Sequence, residues 1–97
     1  MPAAHSVYMV RCRDGTLYTG YTNNVARRIA AHNAGKGGHY TRAHRPVTLV
    51  ATWGFTTKGE ALRAEGQIKR LSRAQKLRLV EGISEGGWAF SSPYGMI

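Results

Sequence analysis

The stretch VYMVRCRDGTLYTGYT, residues 7–22, decides the fold. Val, Tyr and Thr crowd Val7 to Cys12 and Thr16 to Thr22, and Asp14-Gly15 lies between them, so the spacing predicts two strands joined by a tight turn. The register of that hairpin is left open. A two-residue Asp14-Gly15 turn sets Tyr8 opposite Tyr21 and leaves Tyr18 on the other face. A three-residue loop, Arg13-Asp14-Gly15 with a left-handed glycine, brings Tyr8 and Tyr18 onto one face.

Outward from the hairpin, Thr22, Asn23 and Asn24 are N-cap candidates for a helix over Val25 to Asn33 that Gly35 closes. A loop then runs from Gly35 to Pro46. Val47 to Phe55 reads as a third strand, and Lys58 to Leu71 as a second helix. Ser72 with Gln75 forms a capping box that opens a third helix through Val80, ended by Gly82. The domain is expected over residues 1–82. The remainder, 83–97, carries Trp88, Phe90 and Tyr94 and is expected to dock on the domain, because three exposed aromatics on a free tail would be unusual. The order β-β-α-β-α-α predicts an α+β fold, a small three-stranded antiparallel sheet with three helices.

Composition narrows the class. The chain has 97 residues, 42% of them apolar, enough for one core and too few for two. Apolar runs fall far short of the roughly 20 residues that span a bilayer, and Met1 to Ser6 lacks a signal-peptide pattern, so a place in the cytosol or nucleoid is expected. A single cysteine, Cys12, excludes an intramolecular disulfide and a multi-cysteine zinc site. The net charge is +9, and ten of the fourteen cations are arginine. That balance favours a polyanion, with nucleic acid as the expected partner through phosphate contacts. An anionic membrane would call for a basic amphipathic helix with bulky apolar aromatics, and neither arginine-rich helix has one.

Polar side chains inside an apolar helical arc are the next clue. On the second helix Ala61, Leu62, Ala64, Ile68 and Leu71 form one arc, and Glu65 falls within it. A carboxylate there needs a partner, either an arginine or a metal ion. On the first helix Arg28 and His32 border the stripe one turn apart, whereas Arg27 points away. His32 by itself reads equally as a packing residue. The two tyrosines, likewise, are ordinary half-buried strand residues if they do not meet.

Val7-Tyr8-Met9, then Tyr18-Thr19-Gly20, Asn24 and Arg28 with His32 one turn on, and Glu65 in the second helix, together resemble the GIY-YIG nuclease superfamily. The likeness runs from Ser6 to Val80 and is closest to its small stand-alone YhbQ-like bacterial proteins and its junction-cutting Slx branch. Ser6 stands where the name-giving motif has its first glycine, and Met9 and Thr19 fill variable positions. The resemblance implies a DNA endonuclease, selective for DNA structure in repair or recombination. It implies that Glu65 holds one divalent ion, Mg²⁺ or Mn²⁺, and that Arg28 clamps the phosphate. Tyr18 would accept the proton of the attacking water, with Tyr8 and His32 positioning or relaying it. A free phenol, with a pKa of about 10, is only about 0.1% ionised at pH 7, so Tyr18 needs a cation beside it, and Arg28 is the expected one.

The basic loop Gly35 to Arg45 interleaves cations and glycines with Tyr40, a composition suited to backbone contact and base stacking. Lys36, His39, Tyr40, Arg42 and Arg45, with Arg27 and Lys69 on the helices, are the expected nucleic-acid contacts. His39 and His44 lack a third ligand for zinc. Two functions remain open from sequence: a metal-dependent endonuclease acting on DNA, with RNA as an open substrate and a protein partner as an open requirement, or a nucleic-acid-binding module of the same fold without turnover.

Overall fold

Asp14 and Gly15 turn the chain back on itself by local chemistry. Gly15 has φ +89°, its amide donates to Cys12 O at 2.9 Å, and Cys12 N donates to Thr16 O at 2.8 Å. Asp14 Oδ1 accepts from Thr16 N at 3.0 Å. The turn is therefore the three-residue loop with a left-handed glycine. In this computed structural model, which describes residues 4–36 and 43–86, the flanking strands are β1 (His5–Arg11) and β2 (Leu17–Thr22). The odd loop sets Tyr8 opposite Gly20 and Val10 opposite Tyr18, which puts both tyrosines on one face. The open register question is resolved in favour of a shared face.

Helix α1 (Val25–Asn33) starts at Asn24, whose side chain accepts from Arg27 N at 3.0 Å, and stops at Gly35, with φ +86°. Strand β3 (Thr48–Phe55) pairs antiparallel with β1, with an irregularity between Met9 and Val10. The sheet order is β2-β1-β3, so β1 is central. Being central, β1 is buried on both faces. Val7 and Met9 meet Leu17, Ala51, Trp53 and the helix residues Ala61, Ala64 and Ile68. Tyr8, Val10 and Cys12 meet Val47, Tyr18 and Ile29 on the α1 side. The α+β architecture with three strands and three helices is as the sequence predicts.

Two helix ends differ from expectation. Helix α2 (Lys58–Lys69) stops two residues before Leu71 and opens with a capping box, Thr57 with Glu60, that the hydrophobic pattern does not reveal. Helix α3 (Arg73–Gly86) does start from the Ser72–Gln75 box, but it runs through Gly82 instead of ending there. A glycine inside a helix costs only about 1 kcal/mol, and among the described residues only Gly15 and Gly35 take the left-handed conformation that ends a segment. Leu62, placed in the buried arc by the helical wheel, is 43% exposed. The arc of α2 in contact with the sheet is the narrower Ala61, Ala64, Ile68 stripe. The expected docking of residues 83–97 concerns mainly 87–97, which lie outside the described residues.

Candidate active site

Tyr8 is the centre of the site, and its position is set by what β2 lacks. Gly20 lies directly opposite, and a Cβ there would fall on the Tyr8 hydroxyl and within 2.6 Å of its Cζ. Glycine therefore lets the phenol lie flat across the edge strand. The motif glycine is a steric requirement of Tyr8, a role the sequence reading did not assign.

Two residues of α1, one turn apart, converge on the phenol. His32 Nε2 lies 2.8 Å from Tyr8 Oη, and Arg28 Nε donates to the same oxygen at 3.3 Å. Arg28 has only protons to give, so Tyr8 accepts from it. The tyrosine's own proton is then directed at His32 Nε2, since a buried O–H without an acceptor would be costly. That assigns the imidazole proton to Nδ1. The edge of Tyr18 completes the cluster, its ring centroid 5.5 Å from that of His32.

Burial pushes the Tyr8 phenol above its ordinary value of 10.0; the charges of Tyr18 and Glu65 add to the rise, and the Arg28 hydrogen bond and charge draw it back. Tyr8 is thus a protonated donor at neutral pH. Burial, and after it the Arg28 charge, holds His32 below its ordinary 6.5. His32 is fully buried and is neutral when folded. The unfolded chain takes up a proton at His32 as pH drops through about 6.5 and the folded chain resists it, so this contribution to stability is complete above that pH and declines below it. The melting midpoint of the wild type is expected to fall more steeply between about pH 7 and 5 than that of His32→Gln. Parallel slopes in a circular-dichroism melting series would contradict a buried neutral imidazole.

Glu65 comes from α2, the helix on the opposite face of the sheet, and its charge is the smallest of the influences on the Tyr8 phenol. Its ion pair is with Lys69, Oε2 to Nζ 3.4 Å, with the side chains 19% and 51% exposed respectively. The sequence allowed an arginine as the structural partner of this carboxylate; the residue found is a lysine one turn along the same helix. This pair is long and open on the lysine side. Among the described residues no three His, Cys, Asp or Glu side chains group as a metal centre. A single half-buried carboxylate still suits an ion such as Mg²⁺, which takes one or two protein oxygens and fills its shell with water and substrate oxygens.

Of the five residues predicted from sequence, Arg28 and His32 hydrogen-bond to Tyr8, Tyr18 sets its ring edge against His32, and Glu65, on α2, pairs with Lys69. The bond that Arg28 donates to Tyr8 is a relation the sequence did not assign. Arg28 turns inward and Arg27 outward, as the helical wheel required. Lys36, Arg45 and Lys69 are exposed, and His39, Tyr40 and Arg42 lie outside the described residues. Thr19, at 3% exposure, is buried opposite Met9, on the face away from Tyr8.

A hairpin, a crossing helix and a carboxylate from a second helix, gathered on two tyrosines, define the catalytic-domain class known as GIY-YIG. The chain belongs to that nuclease family: the GIY-YIG catalytic domain matches residues 4–78. It is similar to the UPF0213 protein SH2523 of Staphylococcus haemolyticus, 57% identical over 79 residues that cover 81% of this chain and 96% of that one. The UPF0213 protein VNG_2274C of Halobacterium salinarum is 60% identical over 72 residues, 74% of this chain and 94% of its own. Among solved structures, the solution NMR structure of protein EF2693 from E. faecalis has a TM-score of 0.62 at 35% identity, covering 92% of this chain and 97% of that one. That of the UPF0213 protein BH0048 from Bacillus halodurans has a TM-score of 0.53 at 46% identity, covering 95% of each chain. Among the described residues no helix is long and apolar enough to cross a membrane.

Proposed function

We propose that the protein is a divalent-metal-dependent endonuclease that hydrolyses DNA phosphodiester bonds, with a preference for branched or otherwise distorted DNA. The observation that carries this reading is the convergence of Arg28 and His32 on the Tyr8 hydroxyl, with the edge of Tyr18 against His32. Family membership and a charge of +9 support it.

Hydrolysis needs an attacking water, a proton acceptor and neutralisation of charge on the phosphoryl oxygens. Arg28 supplies a guanidinium fork for the phosphate, held in place by its bond to Tyr8. Tyr8 itself is committed, because its hydroxyl is buried and directed at His32. That leaves half-buried Tyr18 to accept the proton of the attacking water, a step that calls for its ionised form and so for the charge of Arg28 or of a bound divalent ion, while Tyr8 and His32 hold the cluster in register. Glu65 would hold one divalent ion, Mg²⁺ or Mn²⁺, whose chemistry when bound is to neutralise the phosphate and acidify a water. Exposed Arg27, Lys36, Arg45 and Lys69 would contact flanking backbone, together with His39, Tyr40 and Arg42 of the basic loop.

The test compares binding with cleavage on plasmid and on branched DNA, with Mg²⁺, Mn²⁺ or EDTA. Nicking by the wild type should require the metal, and Arg28→Ala and Tyr18→Phe should each lower it by roughly 10²-fold or more with binding retained. Wild-type protein that binds and never nicks would instead be a nucleic-acid-binding module.

A further inference from the structure

Helix α1 is tied to the sheet by a polar clasp at each end. Helix α2 lies close against all three strands, whereas α1 stands off them, and Tyr8, Arg28 and His32 span the gap. The position of a helix raised in this way depends on how its ends are fixed. At the first end the buried Thr22 hydroxyl, two residues beyond Gly20 on the same face of β2, accepts from Asn24 N at 3.1 Å and donates to Asn24 O at 3.2 Å. That same carbonyl accepts from Arg28 N at 3.0 Å, so one oxygen joins the end of β2 to the backbone of the arginine. At the other end the Asn33 carboxamide accepts from Val47 N at 2.7 Å and donates to Val47 O at 3.1 Å. The residue next to His32 is thereby tied to the chain that enters β3.

Both side chains bond to backbone and act through it. A hydrogen bond weakens steeply as its length and angle depart from ideal, and Arg28 and His32, one turn apart on one helix, move together. A shift of about 1 Å in α1 therefore disturbs both bonds to the Tyr8 hydroxyl at once, and displacements of that size cost up to about 10²-fold in rate. We propose that Thr22 and Asn33 are positioning residues, which set Arg28 and His32 on the Tyr8 phenol by fixing the two ends of α1. The proposal rests on the nuclease reading for what the cluster does, and not for how the cluster is held.

The experiment combines heteronuclear NMR of the His32 ring nitrogens at about pH 8, where the imidazole is neutral, with single-turnover nicking at saturating DNA. Wild type should show one tautomer, with the proton on Nδ1. Thr22→Val and Asn33→Ala should each give a mixture of tautomers and lower the nicking rate by about tenfold, with affinity for DNA unchanged. Thr22→Ser keeps the hydroxyl and should restore wild-type behaviour in both measurements. Ser72→Ala removes a comparable cap hydroxyl from α3, where Gln75 N donates to Ser72 Oγ at 3.2 Å. It should lower the melting point by a similar few degrees while His32 and nicking stay as in wild type. Wild-type ring nitrogens and rate in either folded clasp variant overturn the proposal, as does an equal change in Ser72→Ala. A tautomer change with an unaltered rate, in a protein that nicks, also overturns it. A tautomer change in a protein that never nicks retains the clasps and rejects the nuclease. Should Thr22→Val not fold, Asn33→Ala carries the same test.

Discussion

Glu65→Gln is expected to reduce DNA nicking by about 10³-fold while leaving affinity for DNA within a few-fold of wild type. The carboxylate neutralises no buried cation, since its partner Lys69 is half exposed, and an exposed pair of this kind is worth about 1 kcal/mol or less. Glutamine has the same shape, so the packing of Ala61, Ala64 and Ile68 is untouched and the melting point should hardly move. What the substitution removes is a hard anionic oxygen for a divalent ion. Metal stabilisation of phosphoryl charge is worth several kcal/mol, and about 1.4 kcal/mol corresponds to tenfold in rate. Single-turnover nicking with matched anisotropy titrations measures both quantities. A Glu65→Gln protein that nicks at the wild-type rate would remove the metal-holding role of this residue.

The second large effect belongs to Gly20. Its backbone is not left-handed, so alanine is conformationally acceptable there, and the obstacle is space alone. The added methyl would meet the hydroxyl, Cζ and Cε1 of Tyr8, the last at 2.9 Å. Tyr8 is 1% exposed and is held by His32 and Arg28, so the ring cannot swing aside without breaking both hydrogen bonds. Overpacking costs about 1–3 kcal/mol and each lost bond about 1 kcal/mol. A total near 3–5 kcal/mol is a large share of the stability of a small domain, about 5–15 kcal/mol. Gly20→Ala should therefore lower the melting point by more than about 10 °C and eliminate nicking. The specific signature is non-additivity. In a Tyr8→Ala background the same Gly20→Ala change should cost little, because the ring it strikes is gone. Equal costs in both backgrounds, read from four melting curves, would mean that Gly20 matters for some other reason.

Much of this architecture was legible before any coordinates. Alternation in residues 7–22, the caps at Asn24 and Ser72 and the stripe on α1 are local signals, and each produced its element. The separation of Arg28 from Arg27 was readable for the same reason, since helical period alone turns one inward and the other outward. Glu65 was legible as an anomaly within an apolar arc, although the wheel drew that arc too wide and included Leu62. Gly82 misled because glycine ends a helix only where the chain turns left-handed, and nothing in its neighbours specifies that.

Order and type of the elements, the tight turn and the inward-facing polar groups thus follow from the chain alone, because they depend on neighbours within a few residues. Folding decided the rest. It chose the hairpin register that unites Tyr8 with Tyr18, buried His32 against that phenol, laid Tyr8 across Gly20 and brought Glu65 within electrostatic reach from the opposite face. Those relations join residues far apart in sequence, and their energies, a collision avoided, a charge desolvated, a proton shared, exist only when sheet and helices are packed together.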